Sequence, residues 1–142
     1  MIVWMRHGES TWNVAGRFQG HTAHPPLTDR GRQQVRDAVA ELSALAPTHV
    51  VTSPAVRARE SADIVADALG LALTSDDRLV EQGAAETLAD VLHRLESFLA
   101  DVDPATRPLV VSHGDTIAIA HAHLTGRDVP GPLRNASIVT TP

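Results

Sequence analysis

Ile2-Val3-Trp4-Met5-Arg6-His7-Gly8 is the stretch whose reading decides the fold. Four consecutive apolar residues are too short a run for a helix and predict a strand over Ile2–Met5 buried on both faces, as strands of parallel sheets are. The run stops at a guanidinium, an imidazole and a glycine. In open parallel sheets ligands bind beyond the carboxyl ends of the strands. Arg6 and His7 therefore stand where such a fold does its chemistry.

Moving outward, His49–Thr52, Leu71–Thr74 and Leu109–Ser112, the last opened by Pro108, predict further short strands, and Ser137–Thr141 a final one. Helical spacing fills the intervals. Val35, Ala38, Val39, Leu42 and Leu45 follow Thr28-Asp29 and stop at Pro47. Ser53-Pro54 predicts a helix with Ser53 as N-cap and Pro54 in the first position, running inward-facing through Val56, Ile64, Val65, Ala68 and Leu69 to Gly70. Leu88, Val91, Leu92, Leu95, Leu99 and Val102 mark another, and Thr116–Leu124 a last. Residues 8–27 read as a long loop with one helical turn. Alternating strands and helices predict the α/β class: a three-layer α/β/α sandwich around a mostly parallel sheet, with one domain over 1–142.

Composition narrows the function. The chain has 142 residues, 43% hydrophobic and 20% charged, the balance of a globular domain. There is no cysteine, which excludes disulfides, thiolate metal sites and thiol nucleophiles. Twelve basic residues, all arginine, face 17 acidic ones for a net charge of −5. Without lysine there is no Schiff-base chemistry and no phosphate-loop lysine. An acidic chain with two Trp, two Phe and no Tyr is a poor nucleic-acid binder, so no nucleic-acid partner is expected. No apolar run approaches a membrane span, and the opening lacks the pattern of a signal peptide; no membrane partner and a cytoplasmic location are expected. An anion bound here must be met by a few placed arginines.

Three segments supply them at one sheet edge: Arg6-His7-Gly8, Ser53-Pro54 to Arg57, and His113-Gly114. Two guanidinium forks suit the oxygens of a phosphoryl group, and a helix starting at Ser53 would add unpaired N–H groups. A histidine facing that group is a nucleophile if its far N–H is held by a backbone carbonyl, leaving the near nitrogen free. Gly8 is expected to let the chain turn sharply beside it.

These residues also carry a resemblance. Arg6-His7-Gly8-Glu9-Ser10 with Trp12-Asn13 resembles the signature of the histidine phosphatase superfamily, the phosphoglycerate-mutase-like proteins. Leu27-Thr28-Asp29-Arg30-Gly31-Arg32-Gln33-Gln34, Thr52-Ser53-Pro54-Ala55-Val56-Arg57-Ala58, Val110-Val111-Ser112-His113-Gly114 and Asn135-Ala136-Ser137 are similar to its further motifs, in the family's order. The resemblance implies that His7 becomes phosphorylated, that Arg6, Arg57, His113 and Asn13 hold the phosphoryl oxygens, and that Glu81 gives the leaving alcohol its proton. Gln19, Gly20 and Gly114 complete the expected substrate contacts. Ser10 either donates to the phosphate or caps a turn. The family needs no metal, and neither metal nor cofactor is expected. His21-Thr22-Ala23-His24 is passed over as a metal pair because no acidic or cysteine cluster accompanies it.

The sequence departs from that pattern after Glu81. Glu81-Gln82-Gly83 runs almost directly into Ala85-Glu86-Thr87-Leu88, where family members carry a covering insertion. Glu86 is thus a rival to Glu81 as the acid. An uncovered site favours hydrolysis over phosphoryl return, so the reading is a metal-independent phosphatase acting on a small phosphorylated metabolite. A phosphorylated protein as substrate of a phosphohistidine phosphatase, a mutase, and a non-catalytic phosphate-binding module are the alternatives. Apolar surface left by the short covering makes a homodimer an expectation.

Overall fold

The structure, a computed structural model, describes residues 1–22 and 24–142. Strands β1 (Ile2–Arg6), β2 (His49–Thr52), β3 (Leu73–Ser75), β4 (Pro108–Ser112) and β5 (Ile138–Thr141) form one sheet in the order β3-β2-β4-β1-β5. The first four run parallel; β5 pairs antiparallel with β1. Side chains alternate between two cores. Val3, Met5, Val50, Leu109 and Val111 face one, and Ile2, Trp4, Val51 and Val110 the other. Both faces being apolar is why the strands read as unbroken hydrophobic runs rather than alternating ones.

Helices α2 (Asp29–Ala44) and α3 (Val56–Leu69) cover the first face through Val35, Leu42, Ala58, Ala62 and Val65. Helices α4 (Leu88–Ala100) and α5 (Gly114–Thr125) cover the second through Val91, Leu95, Phe98, Ile117 and Ala120. The architecture is thus the expected three-layer sandwich. Trp4 is fully buried, and its indole N–H donates to Thr141 Oγ1 at 3.0 Å, fastening β5 to the sheet edge. On the outer side of α4 and α5, exposed Leu88 joins Leu92, Ala118, Ile119 and Ala122 in a shallow apolar cleft.

The helical turn expected in the loop after β1 is α1 (Thr11–Ala15), capped by Ser10. Other boundaries differ from expectation: β3 starts at Leu73, two residues late. Helix α5 starts at Gly114, two residues early, because His113 already lies in the extended cap conformation. Helix α3 begins only at Val56: Ala55 occupies the cap with no side-chain bond, and Ser53 is not the N-cap. The Ser53 hydroxyl is engaged elsewhere.

Candidate active site

Sheet register assembles the site. Arg6 is paired with Ser112, and Thr52 with Val111, so the three central strands end at one level. Two bonds just past these ends, His7 N–H to Ser112 O (3.1 Å) and Ser53 N–H to Val111 O (2.9 Å), keep the emerging chains in step. As a result His7 and His113, 106 positions apart in the chain, meet edge to face with ring centroids 5.3 Å apart. Arg57 reaches the same place from the first turn of α3. All three side chains are fully buried.

Gly8 matters for a different reason than a turn. Its φ is not in the left-handed region. A Cβ there would run into the Gly31 carbonyl, and a Cβ on Gly31 into the backbone of Glu9. The pair lets the first turn of α2 lie directly against the chain leaving β1. Ser61 then accepts from the Gly8 N–H (3.0 Å) and donates to the Arg57 carbonyl (2.8 Å), tying that chain to α3.

This packing settles the state of His7. Its Nδ1 lies 2.7 Å from the Gly8 carbonyl, an acceptor only, so Nδ1 carries the hydrogen and Nε2 presents a lone pair. Burial, reinforced by Arg57 and Arg6 and resisted by the Gly8 bond, pushes the ring's pKa down to about 3. At neutral pH the ring is uncharged and its Nε2 is free to attack.

Four buried side-chain atoms lack a partner among the described residues: Arg6 Nε, His7 Nε2, Arg57 Nε and His113 Nδ1. Leaving such an atom unpaired costs about 1–3 kcal/mol, so their convergence marks a polar ligand's place. Both guanidinium groups are held by backbone carbonyls. Arg6 Nη1 donates to Leu133 O at 2.7 Å, while Arg57 donates to Thr22 O (3.0 Å) and Gly20 O (3.3 Å).

Glu81 stands beside this cluster, its carboxylate 3.8 Å from Arg57 Nη2 and 3.9 Å from His113 Nδ1. Its segment is held by three bonds to backbone carbonyls: Ser112 Oγ to Leu79 O (2.6 Å), Thr116 Oγ1 to Val80 O (3.0 Å) and Arg94 Nη2 to Glu81 O (3.3 Å). Burial, with repulsion from Asp115, raises the Glu81 pKa against the pull of Arg57 and the Gly20 amide. The rival Glu86 lies apart. Arg94 grips it at 3.0 and 3.1 Å and His21 at 2.7 Å, and chiefly the Arg94 bonds hold its pKa down to about 2. A carboxylate so committed has no proton to give, and it does not line the cleft that Arg6 and Glu81 border.

That cleft, roughly 500 Å³, is bordered by Arg6, Asn13, Gln19, Glu81 and Gly114, with Arg17, Phe18 and Leu133 further out. Asn13 Oδ1 accepts from Ser10 N–H (2.9 Å), which turns its amide nitrogen away from the cap. Ser10 resolves as the cap: its hydroxyl donates to Gln19 Oε1 at 2.6 Å and accepts from the Asn13 N–H, so it is not a phosphate donor. At Gly114 the start of α5 lies against the Arg6 side chain, where a Cβ would make ordinary contact with Cδ and Nε at 3.4 Å. The stretch His21-Thr22-Ala23-His24 includes Ala23, which lies outside the described residues.

Sequence reasoning missed several participants. Asn135 donates to the His7 carbonyl (3.2 Å) and to Asn13 Oδ1 (3.3 Å); its motif was visible, its role was not. Ser61 and Arg94 carry no motif of their own. Ser53 was assigned a cap, whereas its Oγ lies 2.8 Å from His113 Nε2.

Comparison with known proteins adds an independent line. Residues 2–85 match the family model described as the histidine phosphatase superfamily, branch 1. The probable phosphoglycerate mutase GpmB of Escherichia fergusonii is 30% identical over 96% of this chain and 82% of its own length. That alignment runs over 177 positions although this chain has only 142 residues, so the relative carries residues with no counterpart here. Among solved structures, Bacillus stearothermophilus YhfR superposes with a TM-score of 0.84 at 25% identity, covering 96% of this chain and 88% of that one. A mycobacterial glucosyl-3-phosphoglycerate phosphatase in complex with VO3 gives 0.81 at 27% identity, with 96% and 88% covered.

Proposed function

The chain belongs to the histidine phosphatase superfamily, and from that premise we propose that it is a metal-independent phosphatase that hydrolyses phosphate monoesters through a phosphohistidine on His7. The observation that carries this is the His7 ring: fully buried, uncharged, hydrogen held on Nδ1 by Gly8, and Nε2 left without a partner, as is one nitrogen on each of the neighbouring Arg6, Arg57 and His113. A phosphoryl group placed there would be met by charge and donors arranged in advance, the main requirement of phosphoryl transfer.

In the first step Nε2 attacks phosphorus, the P–O bond to the alcohol breaks, and the Glu81 carboxyl gives its proton to the departing oxygen. In the second, Glu81 takes a proton from water as the water oxygen attacks phosphorus; the P–N bond breaks, and phosphate leaves. The raised pKa of Glu81 suits the acid half of that cycle. Arg6, Arg57, His113 and the Asn13 amide hold the phosphoryl oxygens, and Gln19, Gly20 and Gly114 border the substrate.

Only residues 82–87 separate Glu81 from α4, and the cleft is open to solvent. This supports hydrolysis rather than return of the phosphoryl group, since a mutase must keep water from its phosphohistidine. A cleft this size, bordered by Arg6 and Glu81, favours a small organic phosphate. Turnover of phenyl phosphate in the presence of EDTA tests the reading. Activity that survives chelation and falls by at least about 10⁴-fold in His7→Ala, the scale of a lost nucleophile, is expected; a variant within tenfold of the parent would reject it.

A further inference from the structure

His7 and His113 lie in one pocket, and what each shows the ligand depends on where its hydrogen sits. For His113 the deciding neighbour is Ser53. Oγ of Ser53 and Nε2 of His113 are 2.8 Å apart, and both residues are fully buried. Either the ring N–H donates to the hydroxyl oxygen, or the hydroxyl donates to a bare ring nitrogen. The remaining partner of Ser53 is the Ala55 backbone N–H, a donor, 3.4 Å from Oγ. Pro54 between them has no N–H to compete. If Nε2 carried the hydrogen, Oγ would face two donors, and its own hydrogen would have no acceptor among the described residues. If Ser53 donates, the hydroxyl accepts from Ala55, gives to His113, and is fully paired. Buried polar groups take the paired arrangement.

We propose that Ser53 is a positioning residue that keeps the hydrogen of His113 on Nδ1, so that this ring meets a phosphoryl oxygen as a neutral hydrogen-bond donor. Its effect on turnover rests on the phosphatase reading above; the tautomer does not. The two histidines then share one tautomer and show opposite edges. His7 spends its Nδ1–H on Gly8 and offers the Nε2 lone pair. His113 has its Nε2 filled by Ser53 and offers Nδ1–H, the atom that is buried without a partner. A second bare lone pair here would face the negative phosphoryl oxygens and repel them. A protonated His113 is no substitute, because burial, together with His7, Arg57 and Arg6, holds its pKa well below the usual histidine range. The donor must come from the tautomer, and the tautomer from the hydroxyl. This also accounts for the late start of α3 at Val56.

The test is the ring-nitrogen NMR spectrum of the unliganded full-length chain, labelled with ¹⁵N-histidine, at neutral pH. The expected result is a protonated, pyrrole-type Nδ1 and a bare, pyridine-type Nε2 for His113. Ser53→Ala should move hydrogen onto Nε2 and weaken inorganic phosphate binding about tenfold, the worth of one neutral hydrogen bond; Ser53→Thr, which keeps the hydroxyl, should restore both. A wild-type spectrum with hydrogen on Nε2 overturns the proposal. So does a folded Ser53→Ala whose tautomer and phosphate affinity are unchanged. If that variant does not fold, the wild-type spectrum decides alone. Absence of any phosphatase turnover would break the functional reading and leave these two measurements standing.

Discussion

The rings of His7 and His113 are chemically the same and sit 5.3 Å apart, both fully buried, beside the same two arginines. What separates them is the neighbour on the far side: a carbonyl for His7, a hydroxyl for His113. A carbonyl can only accept, so it leaves the other nitrogen of His7 bare. A hydroxyl can donate, so it leaves the other nitrogen of His113 with its hydrogen. Nucleophile and clamp are thus assigned by the far-side contacts rather than by the groups facing the ligand. Residue type alone would not assign them.

Substituting the two rings should widen this contrast most. His7→Ala removes the nucleophile, with the loss stated above, whereas His113→Ala removes one donor and should lower kcat/KM for phenyl phosphate about 10²–10³-fold. His113→Asn, whose amide N–H can replace a ring N–H, should recover at least about tenfold of that, the worth of one hydrogen bond. Equal losses in His7→Ala and His113→Ala would erase the distinction.

Glu81 sharpens the contrast next, because it stands on the His113 side of the cleft. Glu81→Gln should cost about 10²-fold on an alkyl phosphate, whose leaving group needs a proton. On 4-nitrophenyl phosphate, which leaves without one, the loss should be much smaller. The raised pKa of Glu81 keeps it protonated to higher pH than an ordinary carboxyl, so wild-type kcat on the alkyl ester should decline as pH rises through that pKa, and the decline should be absent in Glu81→Gln. Equal losses on both esters would remove Glu81 from the acid role.

Stability carries the smallest signal, and here the two rings behave alike. Each has a folded pKa depressed below the unfolded value of about 6.5. Their contribution is therefore fully present above pH 6.5. It is lost as pH falls toward the folded value, about 3 for His7, because the unfolded chain takes up protons that the buried rings refuse. Glu81, with its raised pKa, works in the opposite direction near and above pH 4.5. Two rings outweigh one carboxyl. Denaturant titrations should show stability lower at pH 5 than at pH 7 by a few kcal/mol, and a flatter dependence in His113→Asn. A wild-type pH dependence that is flat would mean that the rings take up protons in the folded chain as readily as in the unfolded one.

The same contrast shows what could be read from the chain alone. Arg6, His7, Arg57 and His113 follow the ends of apolar runs or open a helix, so a local pattern locates each one, and the rule for parallel sheets brings them together. Ser53 also has a local pattern, Ser-Pro, but it points to a helix cap. The contact that overrides it is with a residue 60 positions away, and no local periodicity encodes that. Gly8 was singled out for a turn, yet its constraint is the approach of Gly31 across the α2 packing. The choice between Glu81 and Glu86 depended on Arg94, one helix further on, whose grip on Glu86 is visible only in three dimensions. Strand order and the antiparallel β5 were likewise beyond the one-dimensional pattern.

Which nitrogen carries the phosphoryl group is the most direct question to put to this account. Rapid quenching of turnover into base, where phosphohistidine survives, followed by phosphorus–nitrogen correlated NMR of the ¹⁵N-labelled chain, answers it. The account predicts one labelled site, Nε2 of His7. Phosphorylation at Nδ1, phosphorylation of His113, or steady turnover with no phosphoenzyme formed would contradict it.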